Sequence, residues 1–233
     1  MQPRRGRAVA DLRRTSGAGT GEGAETTFLN TLVTSLTMTD LPFAFTLSLP
    51  EWAVAELAAL PEFAATAEQR MRLVLELARR NAVEDSGGPF AAAVFEHDSG
   101  RLVALGVNRV MPTSCSSAHA EVMALSLAQQ RLQVYDLGGP GQPVFELVVN
   151  WRPCVMCFGA VLWSGVRRLT IAGSGRELEN LTGFDEGPMP RQWRAELARR
   201  GIVITEGVLR REAIDLFRWF GASGRNVYNA RQG

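Results

Sequence analysis

The order of helical and strand-forming segments predicts an α/β protein, a three-layer α/β/α sandwich with a mixed five-stranded sheet. Two observations lead to this prediction. Apolar residues recur at helical spacing in several long segments, and short apolar runs bounded by turn residues stand between them. Helices and strands that alternate in this way pack as layers around one sheet. The 233 residues are 46% hydrophobic, which is ample for one packed core.

Each expected element has a boundary signal. Proline or threonine precedes the first two helices, glycine and proline follow the second, and a His-Asp-Ser-Gly turn separates the first two strands. A Gly/Pro-rich turn over residues 138–143 precedes a strand of the kind that is buried on both faces. A polar loop stands before the next-to-last helix. The expected helices cover residues 50–60, 66–84, 120–132, 155–163, 191–200 and 209–220, and the expected strands cover 90–96, 102–107, 144–149, 169–172 and 202–205.

The first forty residues differ in composition from the rest. Arginines between Arg4 and Arg14 precede a run rich in glycine and threonine, residues 16–27, which offers little apolar surface to bury. A transit peptide or export signal is the alternative, but no adequate apolar region with a small-residue cleavage site follows closely. We therefore expect residues 1–40 to be a disordered extension or to precede a true start at Met38, and residues 41–233 to form the folded domain.

Composition excludes several classes of function. The formal net charge is +1, so the chain has no strong basic field of the kind that indicates a nucleic-acid partner. No segment is long and apolar enough to span a membrane. Three cysteines are too few for a disulfide framework and are typical of a reducing compartment, so we expect a cytoplasmic protein.

Two short motifs indicate a metal site. His119-Ala120-Glu121 supplies an imidazole and a carboxylate, and Pro153-Cys154-Val155-Met156-Cys157 supplies two thiols. Three protein ligands leave a fourth position for water, which distinguishes a catalytic zinc site from a structural one. The pattern H-x-E…P-C-x-x-C is the signature of the zinc deaminases that act on nucleobases. We therefore predict one catalytic Zn²⁺ per chain, held by His119, Cys154 and Cys157.

Both motifs are expected at the starts of helices. Pro153 is tolerated at or just before a first turn, so Cys154 is expected to open a helix whose free N–H groups and dipole favour thiolate. His119 precedes an apolar helical run, and the serine-rich loop before it is expected to cap that helix. At a helix start the side chains of His119 and Glu121 can face one pocket. Glu121 is thus expected to move protons between water and the leaving amine.

Two further residues compete for the metal. A structural zinc site needs a fourth ligand, which Cys115 or His97 can supply. Cys115 is the stronger rival, because its loop can fold back onto the ion. We expect Cys115 to be an unliganded thiol beside the site and His97 to lie at a hairpin turn.

With these segments in order, the chain resembles the cytidine-deaminase superfamily and, more narrowly, the bacterial guanine deaminases. The resemblance covers about residues 71–231. It implies a cytidine-deaminase-like fold, a homodimer, and hydrolytic deamination of a free aminated ring, most often guanine. Deamination of cytosine, cytidine or tRNA adenosine and a non-catalytic binding subunit are the alternatives. The supporting segments, besides the zinc motifs, are residues 87–94, 106–109, 163–166 and 182–187.

The resemblance also implies roles for individual residues. Phe90 is expected against the base, and Asn108 is expected to hydrogen-bond the ring edge, since an amide offers a donor and an acceptor together. Trp163 is expected to wall the pocket or to pack in the core. A second acid that moves protons is expected at Glu186 or, as second choice, Asp185; the alternative is a solvated acidic loop.

Two more features follow from the resemblance. A tail over residues 228–231 resembles one that closes over the site, in some members from the partner subunit. The position before Pro153 is commonly glutamate in purine-type members, whereas here it is Arg152. An arginine near the pocket can recognise a carboxylate or phosphate through its planar fork. The alternative is that Arg152 points away and pairs with a surface acid. This departure bears on guanine as the substrate more than on deamination.

Overall fold

The protein is described by a computed structural model that covers Pro42 and residues 44–230, so the expected N-terminal extension and Arg231 lie outside the described residues. The helices and strands belong to one compact unit that begins at Thr46. No helix in the described part of the chain is long and apolar enough to cross a membrane. In chain order the elements are α1 (Glu51–Glu56), α2 (Ala67–Val83), β1 (Ala91–Glu96), β2 (Leu102–Val107), α3 (Val110–Thr113), α4 (Ala120–Leu132), β3 (Phe145–Val149), α5 (Val155–Ser164), β4 (Arg168–Ile171), α6 (Glu177–Thr182), α7 (Trp193–Arg199), β5 (Val203–Glu206) and α8 (Arg210–Gly221).

The five strands form one mixed sheet in the order β2-β1-β3-β4-β5. β1 pairs antiparallel with β2 and β3, whereas β3, β4 and β5 run parallel. One buried apolar cluster joins α2 and α8 to the sheet, and a second joins α4, α5 and α7 to it. The predicted three-layer sandwich with a mixed five-stranded sheet is confirmed.

The register of the central strands positions the site. Ala92 of β1 lies opposite Val149 of β3. The segment that enters β1 therefore lies beside the segment that leaves β3. Phe90 stands in the first segment and Pro153-Cys154 in the second. Two motifs that are distant in sequence thus lie at the same end of the two central strands.

The second helix shows how local sequence sets an element. Thr66 Oγ1 accepts a hydrogen bond from Gln69 N at 3.2 Å, and Gln69 Oε1 accepts one from Thr66 N at 3.1 Å, which is a complete capping box. Met71 and Val74, three residues apart, are buried on the face that meets the sheet. The predicted cap and the predicted apolar spacing are both confirmed.

Two short helices were not predicted. Residues 110–113 were expected in a loop, and residues 177–182 in a polar loop. The six residues of α6 make less than two turns, and among them only Leu178 is fully buried. One buried position cannot show the apolar repeat by which a helix is predicted from sequence. The helix ends where Gly183 adopts a left-handed conformation with φ 83°.

A buried charged cluster lies in the sheet at the start of β3. Glu146 is almost fully buried and accepts hydrogen bonds from Arg70 Nη1 and Thr170 Oγ1. His97 Nδ1 lies 3.1 Å from Glu146 Oε2. His97 does lie at the β1–β2 turn, as predicted, but it also contacts this cluster, which was not predicted. Strand β3, which was expected to be apolar and buried on both faces, therefore carries one carboxylate, whose charge Arg70 compensates.

Candidate active site

Three metal-ligating side chains converge where α4 and α5 begin. His119 is the N-cap residue of α4, Cys154 is the N-cap residue of α5, and Cys157 lies in the first turn of α5. Their ligand atoms all lie within 4.8 Å of one another, and His119 Nδ1 is 3.5 Å from Cys154 Sγ. One imidazole and two thiols are donors that zinc prefers, and three protein ligands suit a catalytic ion. The residues present fit Zn²⁺.

Close packing fixes the position of His119. Gly106 of β2 faces the start of α4, and a Cβ there would lie 2.2 Å from the carbonyl oxygen of Ala120. Only glycine allows this approach, which holds the helix start at the sheet. The expected cap from the serine-rich loop was wrong: α4 has no side-chain capping bond, because its N-cap residue is His119 itself.

Cys115 does not join the ligand group. Its Sγ lies 3.2 Å from Ser117 Oγ, and it is absent from the cluster of His119, Cys154 and Cys157. The rival prediction of a four-ligand structural site through Cys115 therefore has no support among the described residues.

The two cysteines differ in charge. A hydrogen bond from Cys157 lowers the pKa of the Cys154 thiol to about 4, against the effect of burial and with help from His119. The same bond raises the pKa of Cys157, and burial raises it further. A thiolate at the N-cap of a helix is also favoured by the helix dipole. The pair therefore holds one ready thiolate and one thiol whose proton a metal ion displaces.

Glu121 lies beside the ligands but outside their group. It is 6% exposed and stands two residues into α4 from its N-cap. Burial raises the pKa of Glu121, and the negative charge of Cys154 adds to the effect. A buried carboxyl that can hold or release a proton next to a metal site is suited to proton transfer.

A cavity of about 390 Å³ opens at these residues. It brings together every sequence-predicted site residue except two: Cys157, which lies behind the wall, and Trp163. The walls include Phe90, Asn108, His119, Glu121, Arg152, Cys154, Asp185 and Glu186.

The amide of Asn108 is held in one orientation. Its Oδ1 accepts from Gly88 N at 3.2 Å and from Val110 N at 3.4 Å, and its Nδ2 donates to the hydroxyl of Tyr228. The oxygen is thus engaged by backbone N–H groups. The amide is therefore held from both ends, and the contact of Asn108 with a ring edge stays a prediction.

Phe90 lies in the wall with other aromatic rings. Its ring centroid is 5.0 Å from that of Phe184 in an edge-to-face arrangement. Such a wall presents a flat apolar surface to a planar ligand.

The two candidate acids differ in environment. Glu186 is 9% exposed, and burial raises its pKa to about 8, with the charges of Cys154 and Glu121 adding to the effect and Arg152 opposing it. Asp185 is exposed, and its Oδ1 accepts a hydrogen bond from Gly187 N at 2.9 Å. The solvated-loop alternative fits Asp185 but does not fit Glu186.

Comparison with known proteins identifies the family. The family described as "Cytidine and deoxycytidylate deaminase zinc-binding region" matches residues 64–173. The structure of a guanine deaminase from Nitrosomonas europaea is 50% identical, with a TM-score of 0.74, and the match covers 78% of this chain and 98% of that one. The chain belongs to the zinc-dependent cytidine-deaminase superfamily.

A mutant of NE0047, a guanine deaminase, has been solved in complex with 8-azaguanine; it is 51% identical, with a TM-score of 0.73 and coverage of 77% of this chain and 98% of that one. Two curated relatives match over a shorter region. The tRNA-specific adenosine deaminase of Haemophilus influenzae is 35% identical over 46% of this chain, and the guanine deaminase of Bacillus subtilis is 32% identical over 43%. The chain spans 58% and 59% of the lengths of these two relatives.

The last described residues of the chain close over the cavity. The ring of Tyr228 lies 6.4 Å from that of His119 and 5.3 Å from that of Phe184. Asn229 Nδ2 donates to Gly183 O at 2.9 Å, and Asn229 Oδ1 accepts from Asp185 N at 2.8 Å. The described part of the expected tail, up to Ala230, therefore contacts the site in the same chain.

Trp163 does not line the cavity, and its side chain is 87% exposed. Both the pocket-wall prediction and the packed-core alternative were wrong, because this position of α5 faces away from the sheet.

Asn81 contributes to the site and was missed. It is buried on α2, and its Nδ2 donates to Gly88 O at 2.9 Å and to Asn108 O at 2.8 Å. These bonds fix the loop that carries the wall residue Asn108. An asparagine on an otherwise apolar helical face was the signal for such a role, since a buried amide needs partners.

Proposed function

We propose that this deaminase hydrolyses the amino group of guanine or a closely related ring and releases ammonia. The observation that carries the proposal is the convergence of His119, Cys154 and Cys157 within 4.8 Å, beside the buried Glu121. Zinc held by these residues lowers the pKa of a water molecule towards neutrality and so makes a nucleophile available.

Glu121 takes a proton from the attacking water and delivers it to the leaving amine. Its raised pKa suits this exchange, because an acid–base group works best with a pKa near the working pH. Glu121 acts from the start of α4, where its backbone is fixed next to His119.

Glu186 protonates a ring nitrogen as water attacks. A carboxyl whose pKa is raised to about 8 carries its proton at neutral pH and can donate it. That proton spares the ring the charge that would otherwise develop. Asp185, which is exposed, remains the second choice for this role.

Phe90 packs against the ring, and Asn108 donates to its edge. Tyr228 closes the cavity above them, and burial raises its pKa, so the hydroxyl keeps its proton. A free base therefore fits better than a base within a polymer. The relatives at about 50% identity whose structures contain 8-azaguanine and 2,6-diaminopurine support a purine-like ring.

Deamination of tRNA adenosine is the second candidate, and the 35% identity to the Haemophilus influenzae enzyme favours it. An enzyme of that class grips a polyanion, and its affinity falls steeply with salt. The formal charge of +1 argues against this reading. Cytosine or cytidine deamination is less favoured, because the segment with Asp185 and Glu186 resembles that of the purine-type members. A non-catalytic binding subunit is less favoured, because the three ligands converge beside Glu121.

We also propose that residues 41–233 form the deaminase domain and that it works as a homodimer in the cytoplasm. The exposed face of α5, with Val155, Met156 and Trp163, suits contact with a second subunit. The three cysteines are free thiols, as expected in a reducing compartment. Sedimentation velocity tests the dimer.

The test of function is ammonia release by the zinc-loaded protein with guanine, cytosine, cytidine, an aminotriazine and a tRNA. Guanine or a related ring should be the best substrate. Faster turnover of the tRNA, with strong salt dependence, would replace the proposal with the second candidate. Absence of turnover for every compound, with zinc bound, would leave a binding subunit.

A further inference from the structure

Arg152 is presented to the cavity by a rigid backbone. Its own N–H donates to Gly173 O at 2.8 Å. Before it, Asn150 is buried and holds Ala91 N and Pro89 O through its amide. The neighbouring Trp151 is buried as well. The segment that carries Arg152 is therefore preorganised.

The side chain of Arg152, in contrast, forms no hydrogen bond or ion pair in the described part of the chain. Its Nε is shielded from solvent and makes no hydrogen bond. Arg152 takes part in none of the ion pairs among the described residues, although Glu186 shares the cavity wall. The expected surface ion pair is thus not found there. Because Arg152 lines the cavity without an ion pair, its guanidinium N–H groups are available to an acceptor on a bound ligand.

We propose that Arg152 recognises the substrate ring: two N–H groups of its guanidinium donate to the two acceptors O6 and N7 of a 6-oxopurine. This inference rests on the proposed function and names the ring edge that the site selects. The planar guanidinium fork matches this acceptor pair, as it does when arginine reads guanine in DNA. Lysine, a point charge, cannot make the same paired contact.

The contact makes the site selective for an oxo group at position 6. A 6-amino ring presents a donor there, which faces the arginine donors and leaves them unpaired. 2-Aminopurine keeps the amino group at position 2 that is removed but lacks the oxygen. Because 2-aminopurine keeps N7, the pair guanine and 2-aminopurine isolates the contribution of the Arg152 contact to O6.

The experiment compares kcat/KM for guanine and 2-aminopurine in the wild type, Arg152→Gln and Arg152→Lys. Arg152→Gln should lower the value for guanine by about 10-fold to 100-fold, the range of one paired contact, and should lower the value for 2-aminopurine, which keeps only the N7 acceptor, by a smaller factor. Arg152→Lys should lose most of the preference although the charge remains. If 2-aminopurine is not turned over, its inhibition constant against guanine replaces kcat/KM.

Arg168→Gln is the matched control. Arg168 also has a buried Nε without a hydrogen-bond partner, but it lines a separate cavity, so its loss should not change the ratio of the two substrates. Zinc content and the thermal midpoint check that each variant folds. If Arg152→Gln does not fold, the comparison of Arg152→Lys with the wild type tests the paired contact.

Three outcomes overturn the inference. An equal loss for both rings in Arg152→Gln would mean that Arg152 acts through the charge of Glu186, while deamination of guanine would stand. An unchanged ratio in Arg152→Lys would exclude the paired contact. A wild-type protein that does not deaminate guanine would remove the proposed function and this inference together.

Discussion

Asn108 Nδ2 donates a hydrogen bond of 2.5 Å to the hydroxyl of Tyr228, 120 residues further along the chain. The bond joins the loop after β2 to the last described residues. Because Asn108 Oδ1 also accepts from two backbone N–H groups, the amide is held in one orientation in the cavity wall. The tail therefore takes part in orienting the amide that faces the ligand.

Tyr228→Phe should raise the KM for guanine by about 2-fold to 10-fold, the effect of one hydrogen bond, with little change in kcat. The ring contacts with His119 and Phe184 remain, so the fold should not change. Steady-state kinetics measure the effect. Tyr135→Phe is the control, since Tyr135 is 89% exposed. Equal KM values for the two variants would show that the tail does not orient Asn108.

Glu121→Gln should lower kcat by about 100-fold to 10,000-fold, because the amide cannot carry the proton. Zinc content should stay at the wild-type level, since Glu121 lies outside the ligand group. Turnover and metal analysis on the same sample separate the two effects. Glu76→Gln, on the exposed face of α2, serves as control. Loss of zinc in Glu121→Gln would contradict the assigned role.

The ligand set could be predicted from sequence, because H-x-E and P-C-x-x-C each place their groups within a few residues at a helix start. The order of strands and helices was predictable for the same reason, since caps and turns are local signals. Local signals do not show that H-x-E and P-C-x-x-C lie together in the folded chain. That prediction came from the resemblance to a known family.

Features that depend on distant pairing could not be predicted. Glu146 of β3 meets Arg70, 76 residues away, only because α2 packs against the sheet. The direction of Trp163 depends on how α5 rolls on the sheet, and α5 is apolar on several sides, so its pattern does not define an outer face. Whether Asn108 offers a donor or an acceptor depends on two backbone N–H groups that the sequence does not locate.

Chelation of zinc should abolish turnover, and added Zn²⁺ should restore it. Cys154→Ser should lower zinc occupancy at neutral pH, because it removes a thiolate whose pKa is lowered to about 4. Cys115→Ser is the matched control and should bind zinc normally, as Cys115 lies outside the ligand group. Equal zinc loss in both variants would indicate that Cys115 is a ligand.

The rate should fall as the pH rises through about 8. Burial raises the pKa of Glu186 to about 8, so its carboxyl carries a proton below that pH and loses it above, together with the ability to donate. Glu186→Gln should lower kcat and remove this basic limb of the pH profile.

Asp185→Asn is the control for that profile, since Asp185 is exposed and bonded within its own turn. It should keep the basic limb. Loss of the limb in Asp185→Asn and its retention in Glu186→Gln would exchange the roles of the two acids.

Glu146→Gln should destabilise the protein by about 3–5 kcal/mol, the effect of removing one partner from a buried ion pair, because Arg70 keeps its charge without a carboxylate. Despite the opposing effect of burial, Thr170, His97 and Arg70 together lower the pKa of Glu146.

The stabilisation from Glu146 is therefore present above the ordinary carboxyl pKa and is lost as the pH falls through the lowered one. Urea unfolding of both proteins at neutral and acidic pH measures this, and the difference between them should shrink in acid. Glu96→Gln, which removes a surface pair with Arg101, should cost less than about 1 kcal/mol. A loss in Glu146→Gln no larger than in Glu96→Gln, or one that does not depend on pH, would mean that the buried cluster does not stabilise the sheet.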